Sequence, residues 1–184
     1  MSPRTLFLST CLAITSMSAV ADGFALSIPA IKANGWLSSE QVLNGFGCEG
    51  ANHSPALGWR NPPAGTKSFA LTVYDPDAAT GSGWWHWVVI NIPPTITRLP
   101  EAAGNPNLRL LPGEVVQVAT DFGQPGFGGA CPPIGDKPHK YIFTIYALNT
   151  EKIELPKHAT AALAGFMINA HLIDKVSVTA IYGR

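Results

Sequence analysis

Trp85 to Ile92 reads Trp-His-Trp-Val-Val-Ile-Asn-Ile, an almost unbroken apolar run. Such a run suits a central strand buried on both faces of a sheet. Tyr141 to Leu148 (YIFTIYAL) is a second strong strand, and Ser68 to Tyr74 (SFALTVY) is a third that stops at Asp75-Pro76. Proline there ends ladder pairing, because it has no N–H to donate. Weaker strand patterns occupy Phe24 to Ile28, Ala56 to Trp59, Val115 to Ala119 and Val176 to Tyr182. The 18 glycines and 16 prolines are scattered as turns, with no repeat and no low-complexity segment. Only Thr160 to Asp174 has helical character, with Leu163, Phe166, Ile168, Leu172 and Ile173 available for a core-facing stripe. The expected class is therefore mainly β, two packed sheets with a helix near the C-terminus.

The 184 residues suit one well-buried core. Arg4, the apolar stretch Leu6 to Ile14 and the triplet Ala19-Val20-Ala21 form the pattern of a signal peptide over residues 1–21. Cleavage is expected before Asp22, leaving a single domain over residues 22–184 in the periplasm or outside the cell. Cys11 would leave with that leader, so Cys48 and Cys131 remain as an even pair in an oxidising compartment. Such a pair is expected to form a disulfide. Losing Arg4 from the 12 basic residues leaves 11 against 12 acidic ones, a net charge near −1 with neutral histidines. No basic stripe for nucleic acid and no polybasic membrane patch is present, and stable membrane insertion is not expected.

Two stretches concentrate chemistry-bearing side chains. One is Asp75-Pro76-Asp77, followed after the turn Thr80 to Gly83 by Trp84-Trp85-His86-Trp87. The other runs from Gly128-Gly129 through Cys131-Pro132-Pro133 to Asp136 and His139-Lys140-Tyr141. Each histidine stands at or just before the start of an apolar strand, so strand ends can bring His86 and His139 to one rim. Asp75 ends a strand that can neighbour both. A carboxylate beside an imidazole fixes the ring's tautomer and favours its charged form. A protonated histidine pair, with backbone N–H groups from a proline-stiffened loop, would hold a small anion. Trp85 and Tyr141 are the expected walls. An Asp beside proline is commonly a turn former, so Asp77 is open to that reading as well as to the pocket. Trp84 and Trp87 read as packing, and His53, His158 and His171 as structural or solvated.

Asp75, Asp77, His86 and His139 are acceptable metal ligands, yet no H-x-H or H-E-x-x-H spacing fixes a geometry, and no metal is expected. No G-x-S-x-G elbow is present, Gly81-Ser82-Gly83 reads as a flexible turn, and Cys131 belongs to the expected disulfide. The reading is non-enzymatic, with no cofactor.

Asp75 to Ala78, Gly83 to Ile92 and Pro132-Pro133 with Gly135 to Tyr141 strongly resemble the phosphatidylethanolamine-binding protein family, in particular its bacterial Raf-kinase-inhibitor-like branch. Asn52 to Trp59 (NHSPALGW) is similar to that family's N-terminal element. The resemblance implies a large central sheet against a smaller one with short helices. It also implies a pocket for phosphate, phosphorylated head groups or other small anions. Carried over by position, Asp75, Asp77, His86 and His139 fall in that pocket, with Tyr141 on its wall and Cys131, Pro132 and Pro133 bounding it. The turn between Asp77 and His86 is shorter than in the animal relatives, which place a pocket tyrosine there; Trp85 is the expected substitute. The expected function is an exported protein that binds a small anion or phosphorylated molecule. The alternatives are a protein-interaction module that inhibits a protease, kinase or envelope partner, and a phosphoester hydrolase.

Overall fold

A computed structural model describes residues 23–184. The leader pattern over residues 1–21 lies outside the described residues. The three strongest apolar runs become the three central strands of one antiparallel sheet: β5 (Ser68–Asp75), β6 (Trp84–Ile92) and β9 (His139–Leu148). With β8 (Val116–Gln117) and β10 (Leu172–Tyr182) the order is β10-β9-β5-β6-β8. A three-stranded sheet of β1 (Ala25–Ser27), β4 (Leu57–Arg60) and β7 (Arg98–Leu99) covers one face. A small hairpin of β2 (Asn44–Gly45) and β3 (Cys48–Glu49) stands apart. Strands of two residues, such as β2, β3 and β7, carry no periodicity to detect.

The central strands are apolar on both sides because each side meets a different layer. Phe69, Leu71, Val73, Trp87 and Val89 pack with Leu26, Leu57, Trp59 and Leu99 of the smaller sheet. Their alternates Ala70, Val88 and Ile90 pack under α1 (Ala161–Ala170). This is the period-two alternation of a strand put to use twice.

The helix differs from expectation. Thr160 caps its N-terminus through Leu163 N–H, and it ends at Ala170 rather than Asp174. Leu172 and Asp174 instead pair with Leu148 and Ala147 across a bulge, so β10 begins where the helix was expected to continue. The buried stripe is Ala161, Ala164 and Ile168, whereas Leu163, Phe166 and Ile173 are exposed. Small alanines let the helix lie close on the sheet, and a larger face there would hold it off. Ile168→Ala is accordingly expected to cost about 2–5 kcal/mol, while Phe166→Ser changes stability by less than about 0.5 kcal/mol. Urea denaturation of the two variants checks the assignment, since the expected stripe gives Phe166 the larger effect. Among the described residues no helix is long and apolar enough to cross a membrane.

Candidate functional site

The hollow lies where the C-terminal end of β5 meets the N-terminal ends of β6 and β9. Asp75, His139 and Tyr141 face the same side of the sheet as Val73 and Phe143, as alternation requires. His86 reaches that side through a bulge. Tyr74 pairs with Trp85 and Val73 with Trp87, so two steps on β6 match one on β5. The extra residue reverses the alternation toward the strand's start. Trp84 and His86 therefore face the hollow, and Trp85 turns to the opposite face.

Trp85 is thus not a wall of the site. Its ring packs at 4.6 Å from Tyr74 and lies beside Gly165 of α1. Trp84 takes the position expected for it, edge-on to Phe122 at 5.3 Å between ring centres. Asp77 also stays outside. It is exposed, its backbone N–H donates to Asp75 Oδ1 at 2.8 Å, and its Oδ2 accepts the Lys140 N–H at 2.8 Å. Its role is the turn-forming one, joining the end of β5 to the start of β9.

The remaining expected residues converge. Asp75, His86, Cys131, Pro132, Pro133, His139 and Tyr141 line a hollow of about 270 Å³, completed by Phe46, Trp84, Phe122 and the turn Ala78 to Thr80. That turn stands where the animal relatives were expected to place a tyrosine. Phe46 and Phe122 come from distant segments and carry no local signal. Gly128 makes room for one of them, because a Cβ there would sit 2.2 Å from the Phe122 ring.

Asp75, His86, His139 and Tyr141 are buried. His139 Nδ1 donates to Asp75 Oδ2 at 2.8 Å, and its Nε2 lies 3.6 Å from Asp136 Oδ2. Both Asp75 oxygens are therefore engaged, one by His139 and one by the Asp77 N–H. His86 Nδ1 lies 2.7 Å from the Gly128 carbonyl oxygen, which only accepts, so the proton is on Nδ1. Burial pushes the His86 pKa below its ordinary value and outweighs the backbone hydrogen bonds of Gly128 and Gly129 and the Asp75 and Asp121 carboxylates. Burial of His86 thus works against the protonated pair expected from the sequence. The proline wall likewise offers no row of amide donors, since Pro132 and Pro133 have no N–H.

Among the described residues the buried Tyr141 hydroxyl has no hydrogen-bond partner, and its ring stands edge-on to His86 at 5.1 Å. Burial and the Asp75 carboxylate push its pKa up, so the phenol keeps its proton. Cys48 and Cys131 form a disulfide with a Cα–Cα distance of 6.0 Å, joining the hairpin that carries Phe46 to the wall. Arg184 adds a second tie, donating to Pro132 O at 2.6 Å and Gly47 O at 2.8 Å. Among the described residues one trio has metal-ligand spacing: Glu40, His53 and Glu101. All three are exposed and lie outside the hollow, with His53 Nδ1 3.1 Å from Glu40 Oε2.

Layered β-sheets with a His/Asp hollow at a strand rim define the class. Residues 28–183 match the phosphatidylethanolamine-binding protein family, and the chain belongs to that family. It is 52% identical to the UPF0098 protein YbcL of Escherichia coli, over 97% of this chain and 98% of that one. It is 48% identical to UPF0098 protein YbhB of the same organism, over 79% of this chain and 91% of the relative. The crystal structure of E. coli YbcL, described as a member of the mammalian PEBP family, superposes with a TM-score of 0.85 at 53% identity. That match covers 88% of this chain and 98% of the solved one. A PEBP homologue from Chlamydia trachomatis, CT736, shares the fold with a TM-score of 0.73 at 24% identity, covering 89% of this chain and 99% of its own.

Proposed function

We propose that the hollow binds a small oxyanion or phosphorylated molecule without converting it, and that the protein does so outside the cytoplasm. The Tyr141 hydroxyl carries this reading. A buried phenol without a partner is costly, and a polar ligand in the hollow supplies what it lacks. His86 lines the hollow, and its Nε2, which makes no hydrogen bond to another side chain among the described residues, adds a second polar contact.

Support for a binding role comes from what the hollow's nucleophile candidates already do. The Cys131 sulfur is in the disulfide, and the Thr80 hydroxyl donates to Gly83 O at 2.5 Å. The leader pattern and the disulfide support a location outside the cytoplasm. Isothermal titration of inorganic phosphate and phosphoethanolamine, at neutral and mildly acidic pH, is expected to show saturable binding that His86→Ala abolishes. Flat titrations at both values contradict the reading. Turnover of a phosphoester that disappears in both His86→Ala and His139→Ala makes the protein a hydrolase instead.

A second reading rests on Phe46 and Ile134, which are 73% and 80% exposed. Phe46 lies at the mouth and Ile134 follows the Pro132-Pro133 wall. Apolar side chains so placed favour a protein partner seated over the opening. Recovery of the same partner by wild type, but not by Phe46→Ser with Ile134→Ser, supports that role.

A further inference from the structure

We propose that Glu40, His53 and Glu101 form a surface site for a divalent transition-metal ion of the zinc class, independent of whatever the hollow binds. Their ligand atoms all lie within 4.8 Å of one another. The ion ties together three loops that stand behind the hollow's wall.

The backbone beneath the trio is fixed. Glu40 belongs to the short 3-10 turn Ser39–Gln41, which Ser38 caps. The chain then returns alongside that turn. Ala51 N–H donates to Ser39 O at 3.0 Å, and His53 N–H donates to Glu40 O at 2.7 Å. Glu101 stands in the turn after β7, where Ala102 N–H donates to Ser54 O at 2.8 Å. Gly104 N–H adds a bond to the Ser54 hydroxyl at 2.9 Å. Gln41 and Ser54, the neighbours of two ligands, are buried. The three side chains reach solvent from a rigid base, and such preorganisation lowers the entropic cost of gathering ligands.

The side chains select the ion. Among the described residues no Lys or Arg pairs with either carboxylate. His53 Nδ1 lies 3.1 Å from Glu40 Oε2, and the Glu101 carboxylate has no hydrogen bond or ion pair among the described residues. A cation offsets both negative charges at once. Imidazole suits zinc and its neighbours, whereas magnesium and calcium take oxygen ligands. Zinc bonds of about 2.0–2.2 Å set tetrahedral ligands about 3.4 Å apart, so the side chains close by about 1 Å. Three protein ligands leave a fourth position for water. The trio also reaches the hollow's wall: Asn52 Oδ1 accepts from Gly129 N–H at 2.7 Å, and Gln41 O accepts from Ala130 N–H at 3.0 Å. An ion here braces the strip from Gly129 to Cys131.

Isothermal titration of the untagged protein with zinc ion alone, then with magnesium and calcium, tests the site. One equivalent of zinc is expected to bind, with magnesium and calcium at least about tenfold weaker. His53→Ala and Glu101→Gln should each weaken zinc at least about tenfold. Both residues are exposed, so the metal-free variants should melt within about 2 °C of wild type. Zinc at roughly 100 times its Kd should raise the wild-type Tm by about 5 °C, and the variants' Tm by at most about half as much. Nuclear magnetic resonance locates the ion without a variant: the His53 ring and the amides of Glu40, His53 and Glu101 should shift first. Zinc that binds His53→Ala as tightly as wild type, or that loses its site in His139→Ala, overturns the proposal. Calcium preferred to zinc overturns it too, as does binding only above about 1 mM zinc, which marks an adventitious ion only.

Discussion

Tyr141→Phe is expected to stabilise the free protein by about 1 kcal/mol and to weaken phosphate binding about tenfold. The two effects have one cause. The hydroxyl is buried without a partner, so folding removes it from water and returns nothing. Phenylalanine keeps the ring packed among Phe143, Trp87 and the other residues of its cluster and deletes only the oxygen. With a ligand present the same oxygen becomes a donor, and its loss is felt in affinity. Urea denaturation without ligand and phosphate titration of the same variant measure both effects. A variant that loses stability and keeps its affinity shows instead that the hydroxyl serves the fold.

Replacing both Cys48 and Cys131 by alanine carries a large expected stability cost. The bond joins positions separated by 83 residues, and closing such a loop contributes about 4 kcal/mol through the unfolded chain. For a domain of this size that lowers Tm by roughly 10 °C. The effect on affinity should be smaller, a loss of roughly threefold. Cys131 lines the hollow and Phe46 sits at its mouth, so the bond braces two walls. Other ties remain after it is gone: Arg184 still donates to Pro132 O and Gly47 O, and Leu43 N–H still donates to Ala130 O at 3.0 Å. Thermal melts with and without reductant check this. Wild type should fall to the variant's Tm on reduction, and the variant should not respond. A wild type indifferent to reductant contradicts the bracing role.

What could be read from the sequence was whatever repeats within a segment. Three apolar runs became β5, β6 and β9, and their position beside Asp75, His86 and His139 placed the site at a strand rim. The end of the helix was not legible, because Leu172 and Ile173 continue an apolar pattern that fits helix and strand alike. The walls were legible only in part. Adjacent residues on a strand face opposite sides, so Trp85 and His86 could not both serve, and the bulge opposite Val73 and Tyr74 decided between them. Nothing in the order of residues marks that bulge. Nor does it mark the tautomer of His86, which follows from one carbonyl 42 positions away.

The most direct test is a crystal structure of the protein soaked in phosphate, compared with one from phosphate-free crystals. The account predicts tetrahedral density in the hollow within hydrogen-bond distance of Tyr141 Oη and His86 Nε2, with the His86–Gly128 contact unchanged. Occupied phosphate sites elsewhere with an empty hollow, or a His86 ring turned away from Gly128, contradict it.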